Sequence, residues 1–277
     1  MLKRIISGIV GLPILILLVI NGGIWLQISL GLIIFIGLRE FYTAFDSTLK
    51  PVHYLGFIFA ALHIVVMGQT FPLDNSYIII LAIPIILSIA TLSLIVVRYR
   101  TTNILDCATT TFGYIYVVLT LSTIYFLREW QGGTYEIWLV FIAAWGCDTG
   151  AYFFGRAFGK RKLAPALSPA KTVAGSVGGT ITAALLGALY GLILYNLEVT
   201  YVNYALGYAA ITFICSIFAQ IGDLAASSIK RHTGKKDFGN IMPGHGGILD
   251  RFDSIIFAAP TAFIILFVFS PFFDFLP

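Results

Sequence analysis

Charge is scarce in this chain. Asp, Glu, Lys and Arg make up 11% of its 277 residues, against about 25% in soluble domains. With 58% apolar residues and a mean hydropathy of +0.93, that shortage excludes a soluble surface and defines an integral membrane protein. Cysteine is also rare. Cys107, Cys147 and Cys215 are odd in number, far apart and set in apolar runs, which excludes a disulfide framework and a C-x-x-C zinc site and leaves them as packing residues. Internal repeats and inverted symmetry are absent, which argues against a transporter built from such halves. A phosphate loop is missing too. Gly155-Arg-Ala-Phe-Gly159-Lys160 is one residue short of a Walker A loop and has no Ser or Thr after the lysine.

Long apolar runs fill the rest. A membrane helix needs roughly 17–25 mostly apolar residues, and the runs near 5–20, 24–38, 54–69, 76–96, 106–127, 135–155, 174–196, 203–229 and 255–273 qualify or nearly do. The fold class expected is an all-α polytopic integral membrane protein of about nine transmembrane helices. Lys3-Arg4 ahead of an apolar run resembles a signal peptide, but Asn21-Gly22-Gly23 is a poor cleavage site, so a retained first helix is expected. The first two runs are short and form a tight hairpin or a partly re-entrant pair. With the N-terminus inside, every Lys and Arg except Arg128 falls on one side. Basic loops stay cytoplasmic, which places two long polar loops, residues 156–173 and 230–254, on that face. Residues 1–130 then form an N-terminal set of helices and 131–277 a catalytic set. A compact chain of this kind suits a bacterial inner membrane.

Three G-x-x-x-G patterns (Gly146 and Gly150, Gly175 and Gly179, Gly187 and Gly191) suit close helix packing within the chain or between copies. A homodimer is the expectation carried forward. Tyr and Trp near span ends, such as Trp130, Tyr135 and Tyr201, read as interfacial anchors. They are not a stacking platform, and no nucleic-acid partner is expected. His53 and His63 read as structural.

The chemistry is concentrated in a polar island from Gly222 to Ser254. Asp223 lies at the end of a span, where an ionisable group is costly unless paired or functional. Ser227, Lys230 and Arg231 follow on the same helical face. Asp250 and Asp253 open the last span, after a glycine-flanked histidine, Gly244-His245-Gly246-Gly247, that permits close backbone approach. Lys236 and Arg251 add positive charge. In the other polar loop, Ser168-Pro169-Ala170-Lys171-Thr172 sets a lysine between hydroxyls as a phosphate clamp, and Asp148 is a second intramembrane acid. Asp223, Asp250, Asp253 and Asp148 form an oxygen-ligand set suited to Mg²⁺, which takes one or two carboxylates and completes its shell with water and phosphate oxygens. Helix capping and a solvated ion pair are the structural alternatives. His232 and His245 lack zinc spacing. Carboxylates among Lys and Arg at a cytoplasmic membrane face point to phosphoryl or nucleotidyl transfer involving a lipid.

The run from Ser227 to Asp253 resembles the signature of the phosphatidate cytidylyltransferases in the spacing of Ser227, Lys230-Arg231, Lys236-Asp237, Gly239, Pro243, His245-Gly246-Gly247, Asp250-Arg251 and Asp253. Gly222-Asp223, the W-x-x-D-T-G-A-Y-F-x-G-R run with Asp148, and Ser168-Pro169-x-Lys171-Thr172 extend the likeness over the C-terminal half. The resemblance implies that CTP and phosphatidate give CDP-diacylglycerol and pyrophosphate. It implies Asp223, Asp250 and Lys171 as catalytic residues. Ser168, Thr172, Ser227, Lys230, Arg231, Lys236, His245, Gly246, Gly247 and Arg251 would contact substrate. Mg²⁺ would be held by Asp223 and Asp250 with support from Asp253 and Asp148, as one ion, two ions, or Mg²⁺ with a monovalent cation. Met242 departs conservatively from the family pattern. Ala174 stands where that pattern has Glu, and an inactive homologue is the alternative it raises, beside a transporter with an intramembrane acidic site.

Overall fold

The computed structural model describes residues 2–69, 73–200, 202–241 and 246–269, most of them helical. In chain order the helices are α1 (Leu2–Asn21), α2 (Gly23–Phe45), α3 (His53–Met67), α4 (Leu73–Val97), α5 (Ile104–Glu129) and α6 (Gly133–Phe158). A hairpin of β1 (Lys162–Ala164) and β2 (Ser168–Thr172) follows, then α7 (Val173–Asn196), α8 (Ala205–His232), the short α9 (Leu249–Phe252) and α10 (Ile255–Phe269). Each expected span coincides with a helix as far as residue 269. Among the described residues, six helices (α2 and α4 to α8) are long and apolar enough to cross a membrane, while α3 and α10 are shorter apolar helices. Trp25, Leu32, Ile58, Ile85, Leu185 and Leu189 are exposed on these rods, as expected where lipid tails replace water. All three cysteines are buried and unpaired.

The chain forms two compact units: residues 1–126 with 232–251, and residues 127–231 with 252–277. In the first unit, α1 and α2 meet at Gly22 and Gly23, whose φ angles of 63° and 51° fall where only glycine sits without strain. Beyond residue 38, where the second span was expected to end, α2 runs on to Phe45 and buries Glu40. The helix can continue because backbone N–H groups elsewhere in the unit satisfy that carboxylate. α5 opens with a reciprocal cap. The Asn103 side chain accepts from Asp106 N–H at 2.9 Å, and Asp106 accepts from Asn103 N–H at 3.1 Å. Asp106 also accepts from Lys50 N–H, and the Thr110 hydroxyl from Val52 N–H, at 2.8 and 2.7 Å. The buried His63 Nδ1 lies 2.7 Å from the Tyr114 hydroxyl. The Val52–Thr110 and His63–Tyr114 contacts are buried, and each satisfies a polar group away from water.

The second unit is built on small residues. α6 and α7 approach through Gly150 against Thr182 and Gly179 against the Cys147 carbonyl; α7 and α8 approach through Gly187 against Thr212 and Gly191 against Ala205. The G-x-x-x-G glycines are thus filled from within the chain, which removes these stripes as the basis for expecting a homodimer. A Cβ on Gly179 would stand 2.6 Å from the Cys147 carbonyl oxygen. Gly179→Leu is therefore expected to cost about 1–3 kcal/mol through overpacking, read as a lowered thermal midpoint in detergent. Leu185→Ala, on an exposed face, should melt near wild type.

The segment 156–173, expected to be a long polar loop, contains an antiparallel hairpin in which Lys162 pairs with Thr172 and Ala164 with Ser168. The turn is closed by Leu167 N–H to the Ala164 carbonyl at 3.2 Å. Pro169 lacks an N–H, which a two-stranded ribbon with open edges tolerates. The hairpin ends where α7 begins. Thr172 caps that helix by accepting from Gly175 N–H at 3.1 Å, in a first turn that has no acidic residue.

Candidate active site

In the second unit, β2, α6, α8 and the approach to α10 bring five of the expected residues together. Lys171 pairs with Asp223 through Nζ and Oδ2. Both side chains are about a quarter exposed (25% and 24%), so the pair is neither solvated nor sealed. Asp223 reaches Lys171 because α8 is held in rotation by Gln220, one turn earlier. The Gln220 side-chain amide donates to the Thr180 hydroxyl at 2.9 Å and accepts from the Ser176 hydroxyl at 2.5 Å. Next to Asp223, Gly222 lets the chain before α10 come close. A Cβ there would lie 2.6 Å from the Asp253 carbonyl oxygen. Asp253 in turn accepts from Ser254 N–H at 2.8 Å. Burial first, and then the Asp223 carboxylate, push the Asp253 carboxyl above its usual range, to about 7; Lys230 acts in the opposite direction, and Asp148 adds to the upward shift. Asp148, Lys171, Asp223, Lys230 and Asp253 thus share one electrostatic neighbourhood.

A cavity of about 440 Å³ is lined by two members of this cluster, Asp148 and Lys171, together with Arg156, Lys162, Thr172 and Gln220 among others. That volume is within the range of small-molecule sites. Asp148 follows a π-helical stretch of α6, Ile142–Gly146, a local widening of the kind often found at functional sites. Gln220, Arg156 and Lys162 were not singled out from the sequence. The signal for Gln220 was present, as a polar residue one turn before Asp223 in an otherwise apolar run. Ser168 opens β2, Ser227 and Lys230 are partly buried on α8, and Arg231 is exposed.

The first unit holds the other part of the signature. Lys236 and Arg251 are exposed, and His245 lies outside the described residues, as do Met242, Pro243 and Gly244. Asp250 is buried. Its Oδ2 accepts from Phe238 N–H at 2.8 Å and from Gly247 N–H at 2.9 Å, joining the two ends of the loop. Gly246 adopts φ 82°, and a Cβ on it would stand 2.8 Å from the same oxygen. Asp250 therefore organises the loop backbone, a role its position in the sequence did not disclose. Glu40 also reaches this loop and was likewise missed.

Among the described residues, no three His, Cys, Asp or Glu side chains converge at ligating range. Mg²⁺ binds through one or two carboxylates and keeps places for water and phosphate oxygens, so it would not require such a cluster. Asp223 and Asp253 supply such a pair, and their mutual repulsion is what a bound cation would relieve.

A cavity lined by Arg156, Lys162, Lys171 and the carboxylate of Asp148, among membrane-type helices, suits a protein that handles phosphates beside lipid. The chain belongs to the cytidylyltransferase family, whose model matches residues 2–269. Among curated relatives, it is similar to the phosphatidate cytidylyltransferase of Staphylococcus haemolyticus, 34% identical over 266 residues covering 95% of this chain and 98% of that protein. The enzymes of the same name from Staphylococcus aureus (strain COL) and Staphylococcus saprophyticus are 35% and 36% identical, each over 96% of this chain and 97% of theirs.

Proposed function

We propose that this chain transfers the cytidylyl group of CTP to phosphatidate, forming CDP-diacylglycerol and releasing pyrophosphate. The observation that carries this reading is the Lys171–Asp223 pair, beside Asp253, Asp148 and Lys230, at a basic cavity in a membrane bundle. The names of the relatives support the choice of substrates. An oxygen of the phosphatidate phosphate attacks the α-phosphorus of CTP, a new P–O bond forms, and the bond to the β-phosphate oxygen breaks as pyrophosphate leaves. No protein nucleophile is required, because a phosphate monoester loses its second proton near pH 6. The work of the chain is positioning and charge. Lys171, Lys230, Arg156 and Lys162 neutralise phosphate oxygens, and Asp223 sets the direction of the Lys171 ammonium. Thr172 fixes the start of α7 beside them. Asp223 and Asp253 would hold Mg²⁺, with Asp148 as a further acid, and the ion would supply positive charge to the triphosphate.

Nine crossings, with the N-terminus and the polar loops cytoplasmic in a bacterial inner membrane, complete the reading. It is supported by the one-sided distribution of Lys and Arg. Single cysteines placed at Asn75 and at Lys160, in a chain with Cys107, Cys147 and Cys215 replaced, test it. The first should react with an impermeant thiol reagent in intact cells and the second only after lysis; the opposite pattern would invert the topology.

Acceptor choice tests the chemistry. Purified protein with CTP and Mg²⁺ should convert phosphatidate to CDP-diacylglycerol and leave diacylglycerol untouched, since only the former carries the attacking phosphate. Chelation of divalent cations should abolish the conversion. Equal use of diacylglycerol would overturn the mechanism.

A further inference from the structure

We infer that Glu40 is a positioning residue for the reaction, anchoring the loop residues 238–241 and 246–250 to α2. Its side chain is 5% exposed. Oε1 accepts from Ile248 N–H at 3.0 Å and Oε2 from Leu249 N–H at 2.9 Å, across 208 and 209 residues of sequence. Two glycines of the loop close on the same carboxylate. A Cβ on Gly247 would stand 2.5 Å from each Glu40 oxygen, and one on Gly239 would collide with Oε1.

The neighbouring turns of α2 touch the same segment. Gly37, one turn before Glu40, lies under Leu249, where a Cβ would be 3.2 Å from Cδ2. Thr43, one turn after it, takes the Lys235 ammonium on its carbonyl at 2.6 Å. Gly37, Glu40 and Thr43 lie at three-residue intervals, so one face of α2 meets the loop. Asp250 ties the loop to itself, and Glu40 ties it to the helix. A carboxylate is needed at position 40 because a buried N–H must find an acceptor, and two adjacent ones point at this place. Gly239 and Gly247 are explained by the same contact: both are small because the Glu40 carboxylate occupies the space beside them.

The consequence for catalysis rests on the function proposed above and on the substrate contacts that the family resemblance implies for Lys236, Gly246, Gly247 and Arg251. A displacement of about 1 Å in such a loop can cost about a hundredfold in rate. The test uses the full-length purified protein. Glu40→Gln keeps the shape but turns one acceptor into a donor, and Glu40→Asp keeps the charge but shortens the reach. Both are expected to fold, with kcat per folded molecule reduced about 10- to 100-fold for Gln and less for Asp. Amide exchange at Ile248 and Leu249 should accelerate in Glu40→Gln. Wild-type kcat per folded molecule, or an activity loss that only tracks the unfolded fraction, would overturn the inference, as would unchanged exchange at both amides. Should Glu40→Gln fail to fold, Gly239→Ala crowds the carboxylate without removing a partner; a loss of kcat is again expected, and wild-type kcat there overturns the anchor. If the wild-type protein shows no cytidylyl transfer, the underlying reading fails, while the exchange measurement still decides on the anchor.

Discussion

Asp223→Asn should lower CDP-diacylglycerol formation by about a thousandfold and leave the protein folded. The substitution keeps the size of the side chain, and its remaining oxygen can still accept from Lys171, so the packing of α8 against α7 through Gln220, Ser176 and Thr180 is untouched. At about a quarter exposure, the pair contributes to stability on the scale of a surface ion pair, about 0–1 kcal/mol. A small shift in thermal midpoint with a large loss of rate is the expected combination. Asp223 is a more discriminating target than Asp250. One oxygen of Asp250 holds the backbone of Phe238 and Gly247, so Asp250→Asn would disturb the loop whatever else that carboxylate does.

Lys171→Met removes the positive charge and keeps an apolar stem of similar length. Its loss should cost about 10²–10³-fold in kcat/KM for CTP, because a partly buried ammonium interacts with phosphate more strongly than one in bulk water. The variant also leaves Asp223 beside Asp253 without its counter-charge, so the two carboxylates repel more strongly. Lys171→Arg restores the charge as a planar fork where a compact point charge stood, and partial recovery is expected. Full activity in Lys171→Met, measured per folded molecule, would remove this residue from the site.

Much of this residue cluster was legible in the sequence because its members break the membrane pattern. Asp148 and Asp223 are acids in apolar runs, and Lys171 sits between hydroxyls just before a helix. The structure brings these three together with Lys230 and Asp253. What stayed hidden depends on long-range contact. Glu40 is also an acid in an apolar run, but its partners are backbone N–H groups 208 and 209 residues away, and no periodicity reports such a pairing. The same holds for Asp250, which accepts from the backbone N–H groups of Phe238 and Gly247, contacts that carry no side-chain code. The hairpin of β1 and β2 was missed for a related reason: three- and five-residue strands are too short for alternation to register. Ala174, the position that departs from the expected pattern, sits in the first turn of α7. That turn carries no acid and is capped by Thr172 instead, so the helix start beside Lys171 does not require a glutamate.

The most direct measurement follows the phosphorus atoms of CTP. Purified protein is incubated with phosphatidate, Mg²⁺ and CTP labelled at either the α- or the γ-phosphorus. The α-label should enter the lipid fraction as CDP-diacylglycerol, the γ-label should leave as pyrophosphate, and Asp223→Asn should do neither. Lipid carrying the γ-label, or no labelled lipid from the folded wild-type protein, would contradict the assignment of this site to cytidylyl transfer.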